Sequence, residues 1–180
     1  MQTFICMLRS INVLGKNMIR MPELVSAFRK AGFKKVRTYI QSGNIIFETG
    51  EESCDLLSDK IRDLITKQFR LTIQVLVITP QALAEIISEN PFVKNPGIDL
   101  TKLHVTFTDR DADRGKAEKL LSYSYLPDEI MTGKRAVYIH CPEGYGRTKY
   151  HNNFIEKILS AHATTRNWNT CLKLQEMCRE

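Results

Sequence analysis

Short apolar runs alternate along this chain with segments in which apolar residues recur every third or fourth position. Phe4 to Leu8 is a nearly unbroken apolar run, too short for a helix before the polar turn at Asn12 to Asn17. It reads as a strand covered on both faces. Pro22 then opens a helix, with Leu24, Ala27, Phe28 and Ala31 at helical spacing and Gly32 as its left-handed stop. Val36 to Ile40 and Ile45 to Phe47 are short β-branched or aromatic runs around Gln41-Ser42-Gly43-Asn44, which is hairpin-turn chemistry. Leu57, Ile61, Leu64, Ile65 and Gln68 mark one stripe of a helix from about Ser53 to Phe69, and Ile73 to Ile78 returns as a strand. Strand, helix, hairpin, helix, strand is the order of the split βαβ plait, the ferredoxin-like arrangement.

The order then begins again. Thr79-Pro80 caps a connecting helix to about Ser88, and Asn90-Pro91-Phe92 through Asn95-Pro96-Gly97 is rich in turn formers. Lys102 to Thr108 reads as a strand and Ala112 to Leu121 as a helix. Glu129 to Met131 and Ala136 to His140 read as a hairpin around Thr132-Gly133-Lys134, and Tyr150 to Leu159 as a helix. No closing strand is evident before a last helix at about Asn167 to Met177. The expected architecture is α+β: two tandem ferredoxin-like (α/β plait) halves packed together, with a C-terminal helical segment. The first half spans 1–79, a connecting helix and turn 80–101, and the second half 102–180. Double burial of Ile5 to Leu8 and Val75 to Ile78 requires a cover on the sheet face that a lone plait leaves open. The second half is the expected cover, which would remove the face that RNA-recognition plaits use.

Composition narrows the partners. Of 180 residues, 26 are Lys or Arg and 20 Asp or Glu, a formal charge of +6 that favours anions without selecting one. The five cysteines, Cys6, Cys54, Cys141, Cys171 and Cys178, form no C-x-x-C pair and read as reduced thiols of a cytoplasmic protein. His104, His140, His151 and His162 show no metal-ligand spacing, so no metal site is expected, and no cofactor is indicated. Asp109, Asp111 and Asp113 read as helix-start capping rather than a calcium loop. Met1 to Leu8 lacks a basic leader, and no run reaches the ~18 apolar residues of a membrane span. No membrane partner is therefore expected.

Candidate chemistry gathers in four polar stretches. The first, Arg9 to Asn17, offers Arg9, Asn12, Lys16 and Asn17; it fails as a phosphate-binding P-loop because Ser10 and Asn17 replace the first glycine and the magnesium-binding hydroxyl. Its structural alternative has Ile11 and Val13 plugging the core while Asn12 and Asn17 satisfy turn amides. The second offers Arg37 and Tyr39 on one strand face, with Ser42, Gly43 and Asn44 at a tip that suits either an anion or plain turn duty. The third, Tyr145-Gly146-Arg147-Thr148-Lys149, precedes a helical pattern, so Tyr145, Arg147 and Lys149 could converge on phosphate. The fourth is Ala163 to Thr170, with Thr165, Arg166 and Asn167 ahead of the last helix and the single Trp168. Unpartnered first-turn amides there suit an anion or a buried polar network. Trp168 reads as a core anchor, and Arg166 as a ligand or network contact.

At these stretches the chain resembles a bacterial family known as domain-of-unknown-function family 1697. The resemblance rests on Leu8-Arg9-Ser10-Ile11-Asn12-Val13, Gly15-Lys16-Asn17, Arg37-Thr38-Tyr39, Ser42-Gly43-Asn44, Asn90-Pro91-Phe92, Tyr145-Gly146-Arg147 and Thr164 to Thr170, and it runs over nearly the whole chain. It implies two α/β plait halves and brings no established activity. The family usually has glycine where this chain has Ser10 and Leu14. The leading expectation is a site near the junction of the halves for an anion, either a phosphorylated small molecule or a nucleic-acid backbone. Two alternatives stand beside it. One is an enzyme on a phosphorylated or nucleotide substrate, with Tyr39, Tyr145 or an unassigned carboxylate in acid/base work; the other is a structural network fixing the two halves. Neither the reaction nor the oligomeric state is written in the pattern.

Overall fold

The computed structural model describes residues 1–51 and 53–179. They divide into two compact units, Met1–Leu83 with the chain from Leu174 onward, and Ala84–Lys173. Each unit holds a four-stranded antiparallel sheet of the same topology. Among the described residues no helix is long and apolar enough to cross a membrane.

In the first unit the order is β1 (Gln2–Leu8), α1 (Met21–Lys30), β2 (Lys34–Tyr39), β3 (Asn44–Thr49), α2 (Cys54–Phe69) and β4 (Val75–Ile78). The sheet order is β2-β3-β1-β4, so the apolar β1 lies between β3 and β4. One face carries Phe4, Cys6, Leu8, Ile45, Phe47, Val75 and Val77, packed with the apolar stripes of α1 and α2. Phe28 and Phe33 meet Phe47 there, with Phe33 and Phe47 centroids 4.7 Å apart in a tilted pair. The opposite positions, Ile5, Met7, Ile46, Leu76 and Ile78, are buried as well. Burial on both sides is why Phe4 to Leu8 shows no alternation of apolar and polar residues.

Local chemistry sets the ends of these elements. Ser53 caps α2 by accepting the Leu56 amide at 3.3 Å, and Arg70 closes it in the left-handed conformation. Buried Ser58 donates to the Cys54 carbonyl at 2.8 Å and accepts the Val77 amide at 3.1 Å, so α2 satisfies a donor of the edge strand β4.

The second unit repeats the plan with α3 (Pro80–Ser88) leading into it from the first, then β5 (Leu103–Thr108), α4 (Arg114–Leu121), β6 (Glu129–Gly133), β7 (Ala136–His140), α5 (Asn152–Leu159) and β8 (Ala163–Asn167). Its sheet order is β6-β7-β5-β8. The last helix, α6 (Trp168–Met177), returns the chain to the first unit. Val137, Ile139, Cys141, Tyr150, Ile155 and Leu159 form a core. The α3 segment belonging to this unit is tied to the sheet by the Tyr138 hydroxyl, which donates to the Ile86 carbonyl at 2.9 Å. Asp113 caps α4 by accepting the amides of Gly115 and Lys116, the expected role, whereas Asp109 accepts the His162 amide and pairs with Arg110.

Two readings need correction. The segment Ala163 to Asn167 is the closing strand absent from the sequence reading, paired antiparallel with β5 from His104↔Asn167 to Thr108↔Ala163. Its threonines are β-branched and suit a strand, but they look polar, and the strand carries polar groups on both faces. Val13 does not plug the core: it is 50% exposed in a tight turn closed on Lys16, whereas Ile11 is buried as expected.

Gly43 has a left-handed φ of +75°, and a Cβ there would lie 2.8 Å from the Leu8 Cβ and 2.9 Å from the Ile11 Cδ1. Replacing Gly43 with Ala should therefore cost about 2–4 kcal/mol, combining backbone strain with overpacking. Urea denaturation of the variant checks this; a cost below about 1 kcal/mol would mean that the loop moves aside without penalty.

Candidate functional site

The four polar stretches come together in pairs, two within each unit. In the first unit Asn12 acts as a clamp: its Nδ2 donates to the carbonyls of Ile19 at 2.9 Å and Gln41 at 2.8 Å, while its Oδ1 accepts the Ile19 amide at 2.8 Å. Asn17 donates to the Ser10 carbonyl at 3.0 Å. The segment 10–17 has left-handed residues at Ser10, Asn12, Leu14, Gly15 and Asn17. Such a backbone needs these side-chain ties to hold one conformation. Lys16 is exposed, while Arg9 is partly buried and bonds through its amide to the Gln74 carbonyl at 3.0 Å.

The second stretch serves the fold in the same way. Asn44 is fully buried and donates to the Tyr39 carbonyl at 3.2 Å and to the Ser42 hydroxyl at 2.9 Å. The Gly43 carbonyl accepts the Leu8 amide at 2.8 Å. Arg37 donates through Nη2 to the Met177 carbonyl at 2.6 Å, placing a cation at the C-terminal end of α6 where unpaired carbonyls carry partial negative charge. Tyr39 is half-buried at the end of β2.

In the second unit Thr165 is the meeting point. Its hydroxyl donates to Asn152 Oδ1 at 2.7 Å and accepts the Tyr145 hydroxyl at 3.0 Å. Thr106 Oγ1 lies 2.7 Å away; because the Thr165 proton is committed to Asn152, Thr106 is the donor. One hydroxyl thus uses its single donor and both acceptor positions. Tyr145 also stacks on His104, with centroids 4.7 Å apart, and His104 Nδ1 faces the Lys102 carbonyl at 3.3 Å, which assigns the proton to Nδ1.

Arg166 is only 7% exposed; its Nη1 donates to the Thr164 hydroxyl and the Thr165 carbonyl, both at 2.9 Å. Asn167 accepts the Thr170 amide at 2.8 Å, a side-chain cap on α6, and Trp168 is buried, as expected of a core anchor.

Arg147 and Lys149 stand apart from these networks. Both are exposed and line a cleft of about 340 Å³ with Tyr125, Asp128 and Glu143. Tyr125 and Asp128 flank a tight turn, closed by the Asp128 amide donating to the Tyr125 carbonyl at 3.0 Å. Glu143 precedes the short 3-10 turn Tyr145–Arg147, which Arg147 ends. Lys149 Nζ sits 5.0 Å from the Tyr125 ring centroid, a cation–π contact. Sequence reasoning missed Tyr125, Asp128 and Glu143, since no local motif ties the 125–128 turn to the 143–149 segment. The turn-forming Leu126-Pro127-Asp128 beside two tyrosines was the available signal.

Burial shifts several groups strongly, most of them in the interior, and raises the half-buried Cys178 thiol to about 11. The Tyr138 hydroxyl is pushed up to about 12 by burial and the nearby Glu89. Burial raises the Cys141 thiol to about 11, and the Cys171 thiol to about 12 against the pull of Arg166. Among the described residues no group of three or more His, Cys, Asp or Glu side chains could hold a metal ion.

Two plaits in tandem, each with polar loops tied into its own sheet, define an α+β protein of duplicated ferredoxin-like architecture. Residues 1–138 match the family described as protein of unknown function (DUF1697), and the chain belongs to that family. Among solved structures, the chain is similar to a conserved bacterial protein from Streptococcus pneumoniae, at 22% identity and a TM-score of 0.79 over 99% of both chains. That likeness shows the fold. No curated protein matches.

Two expectations follow. Thr165→Val keeps the shape of the side chain but leaves Tyr145, Thr106 and Asn152 each short of a partner. It should lower stability by about 2–3 kcal/mol, read by urea denaturation, and a loss under about 0.5 kcal/mol would show that water replaces the network. Burial lowers the His104 pKa below its ordinary 6.5, partly offset by the Lys102 carbonyl. The stability of the neutral form is complete above pH 6.5 and is lost as pH falls, because the unfolded chain takes up the proton first. His104→Phe, which retains a ring against Tyr145, should flatten the stability curve between about pH 7 and pH 5; an unchanged slope would place the titration elsewhere.

Proposed function

We propose that the protein is a binding protein for a small anionic molecule, phosphate-bearing in the simplest case, held in the second unit's cleft by Arg147 and Lys149. The observation that carries this reading is the difference between those two cations and the other candidate groups. Asn12, Asn17, Arg37, Asn44, Thr165, Arg166 and Asn167 make bonds inside the fold, whereas Arg147 and Lys149 present their charges to an open cleft of about 340 Å³. That volume is at the lower end of the range for small-molecule sites, and a guanidinium beside an ammonium is a common phosphate pair. Arg9 and Lys16, at the far side of the sequence, are kept as a secondary anion contact in the first unit.

A nucleic-acid backbone is less well supported. The sheet positions that an RNA-recognition plait leaves open for bases are buried here at Ile5, Met7, Ile46, Leu76 and Ile78. A structural role inside the second unit has its own observation, the saturated Thr165 hydroxyl, and it accounts for Tyr145 of the third stretch and Thr165 of the fourth. Neither reason extends to Arg147 and Lys149.

Calorimetric titration of the wild type and the Arg147→Ala, Lys149→Ala double variant with pyrophosphate tests the proposal, with single-stranded RNA and DNA oligonucleotides as a second arm. The expected result is salt-sensitive pyrophosphate binding that weakens about tenfold or more in the variant, with melting temperature unchanged. Equal binding by both proteins, or none by the wild type at low salt, would overturn it. Oligonucleotide binding that exceeds pyrophosphate binding would move the partner to nucleic acid.

A further inference from the structure

The cleft holds two carboxylates as well as two cations, and this composition narrows the ligand. Asp128, Glu143, Arg147 and Lys149 all line it, and among the described residues no ion pair joins any two of them. Opposite charges carried by two separate turns, 125–128 and 143–149, thus border one space without closing on each other. The Tyr125 ring adds a third kind of surface. Its face is occupied by the Lys149 ammonium at 5.0 Å, which holds that cation at the cleft wall. Tyr125 is itself held in place by neighbouring rings, with Tyr150 at 5.1 Å and Phe154 at 5.8 Å between centroids. A rigid aromatic wall of this kind loses little conformational freedom on binding.

Resting on the anion-binding reading above, we infer that this cleft selects a small zwitterion: a molecule with a phosphate or carboxylate at one end and a protonated amine at the other. The anion sits against the Arg147 guanidinium and the Lys149 ammonium, and the amine against Asp128 and Glu143. Charge complementarity favours such a ligand over a simple anion. A bare phosphate gains the cations but faces two carboxylates, whereas a zwitterion pairs with both sets and leaves neither unsatisfied. A polyanion meets the same repulsion, which agrees with a small-molecule partner. The inference requires no metal and no covalent step.

Competition calorimetry on the full chain with O-phosphoethanolamine, inorganic phosphate and ethanolamine separates the two levels. Phosphoethanolamine should bind about tenfold more tightly than phosphate, with ethanolamine weakest. The Asp128→Asn, Glu143→Gln double variant should erase the advantage of the amine while holding or improving phosphate affinity. Arg147→Ala should weaken both phosphates. If phosphate binds as tightly as phosphoethanolamine in the wild type, zwitterion selection is overturned and anion binding stands. If a carboxylate zwitterion such as β-alanine binds more tightly than phosphoethanolamine, the selection stands with a carboxylate as the anion. If none of these probes binds, both readings fall. A chemical-shift map on the double variant guards against misfolding: dispersed amide signals away from 125–149 certify that a lost preference is local.

Discussion

Burial of both faces of the first unit's central strands is the constraint on which most of that sheet depends. In a sheet covered on one side only, polar side chains can point to water. Here β1 and β3 have no such side over Phe4 to Leu8 and Asn44 to Phe47, so any polar group placed there must be bonded within the protein. The second sheet meets the same demand at Thr106, Thr164 and Arg166, all buried. Leaving one such group unpaired costs roughly 1–3 kcal/mol, a sizeable part of the stability of a domain this size. The fold answers with side chains that saturate one another, and Thr165 shows the principle in its simplest form, three bonds on one oxygen.

The first loop shows a related economy. Ser10 and Leu14 stand at φ of 53° and 49°, the left-handed region that glycine enters without steric cost. A side chain there costs on the order of 1 kcal/mol. Leu14 is 94% exposed, so its side chain recovers none of that cost by burial. The conformation is held instead by Asn12 and Asn17, whose amides bond carbonyls across the loop and to Gln41. The asparagine ties therefore hold the loop's path even with side chains at positions that glycine would occupy without strain.

Much of the architecture was legible because apolar spacing reports burial directly. Both hairpins, the helices and the repeated order follow from runs such as Ile45 to Phe47 and from stripes such as Leu57, Ile61 and Ile65. β8 was not legible, for a reason that also obscured the site. Threonine, asparagine and arginine have the same appearance in a sequence whether they are bonded inside a sheet or offered to a ligand. Arg37, at the end of α6 in the fold but 140 residues from its partner Met177 along the chain, illustrates the point. Only the three-dimensional pairing reveals which donors are already committed.

The same reasoning isolates the second unit's cleft. Networks such as those of Asn12 and Thr165 are closed, in that each donor faces an acceptor of the protein itself, and a closed network has nothing to offer a ligand beyond rigidity. Arg147, Lys149, Asp128 and Glu143 are open in this sense, bordering one volume from two turns. Exposed charges cost little while water solvates them, so their presence alone says nothing of function. Their arrangement says more. Two turns, one braced by the tilted and edge-on rings of Tyr125, Tyr150 and Phe154 and the other by the Tyr145 hydroxyl on Thr165, hold cations and carboxylates around a common space. The internal networks thus act on the cleft indirectly: by fixing Tyr145 they fix the turn that carries Arg147, and the precision of the charged rim derives from hydrogen bonds made entirely within the fold.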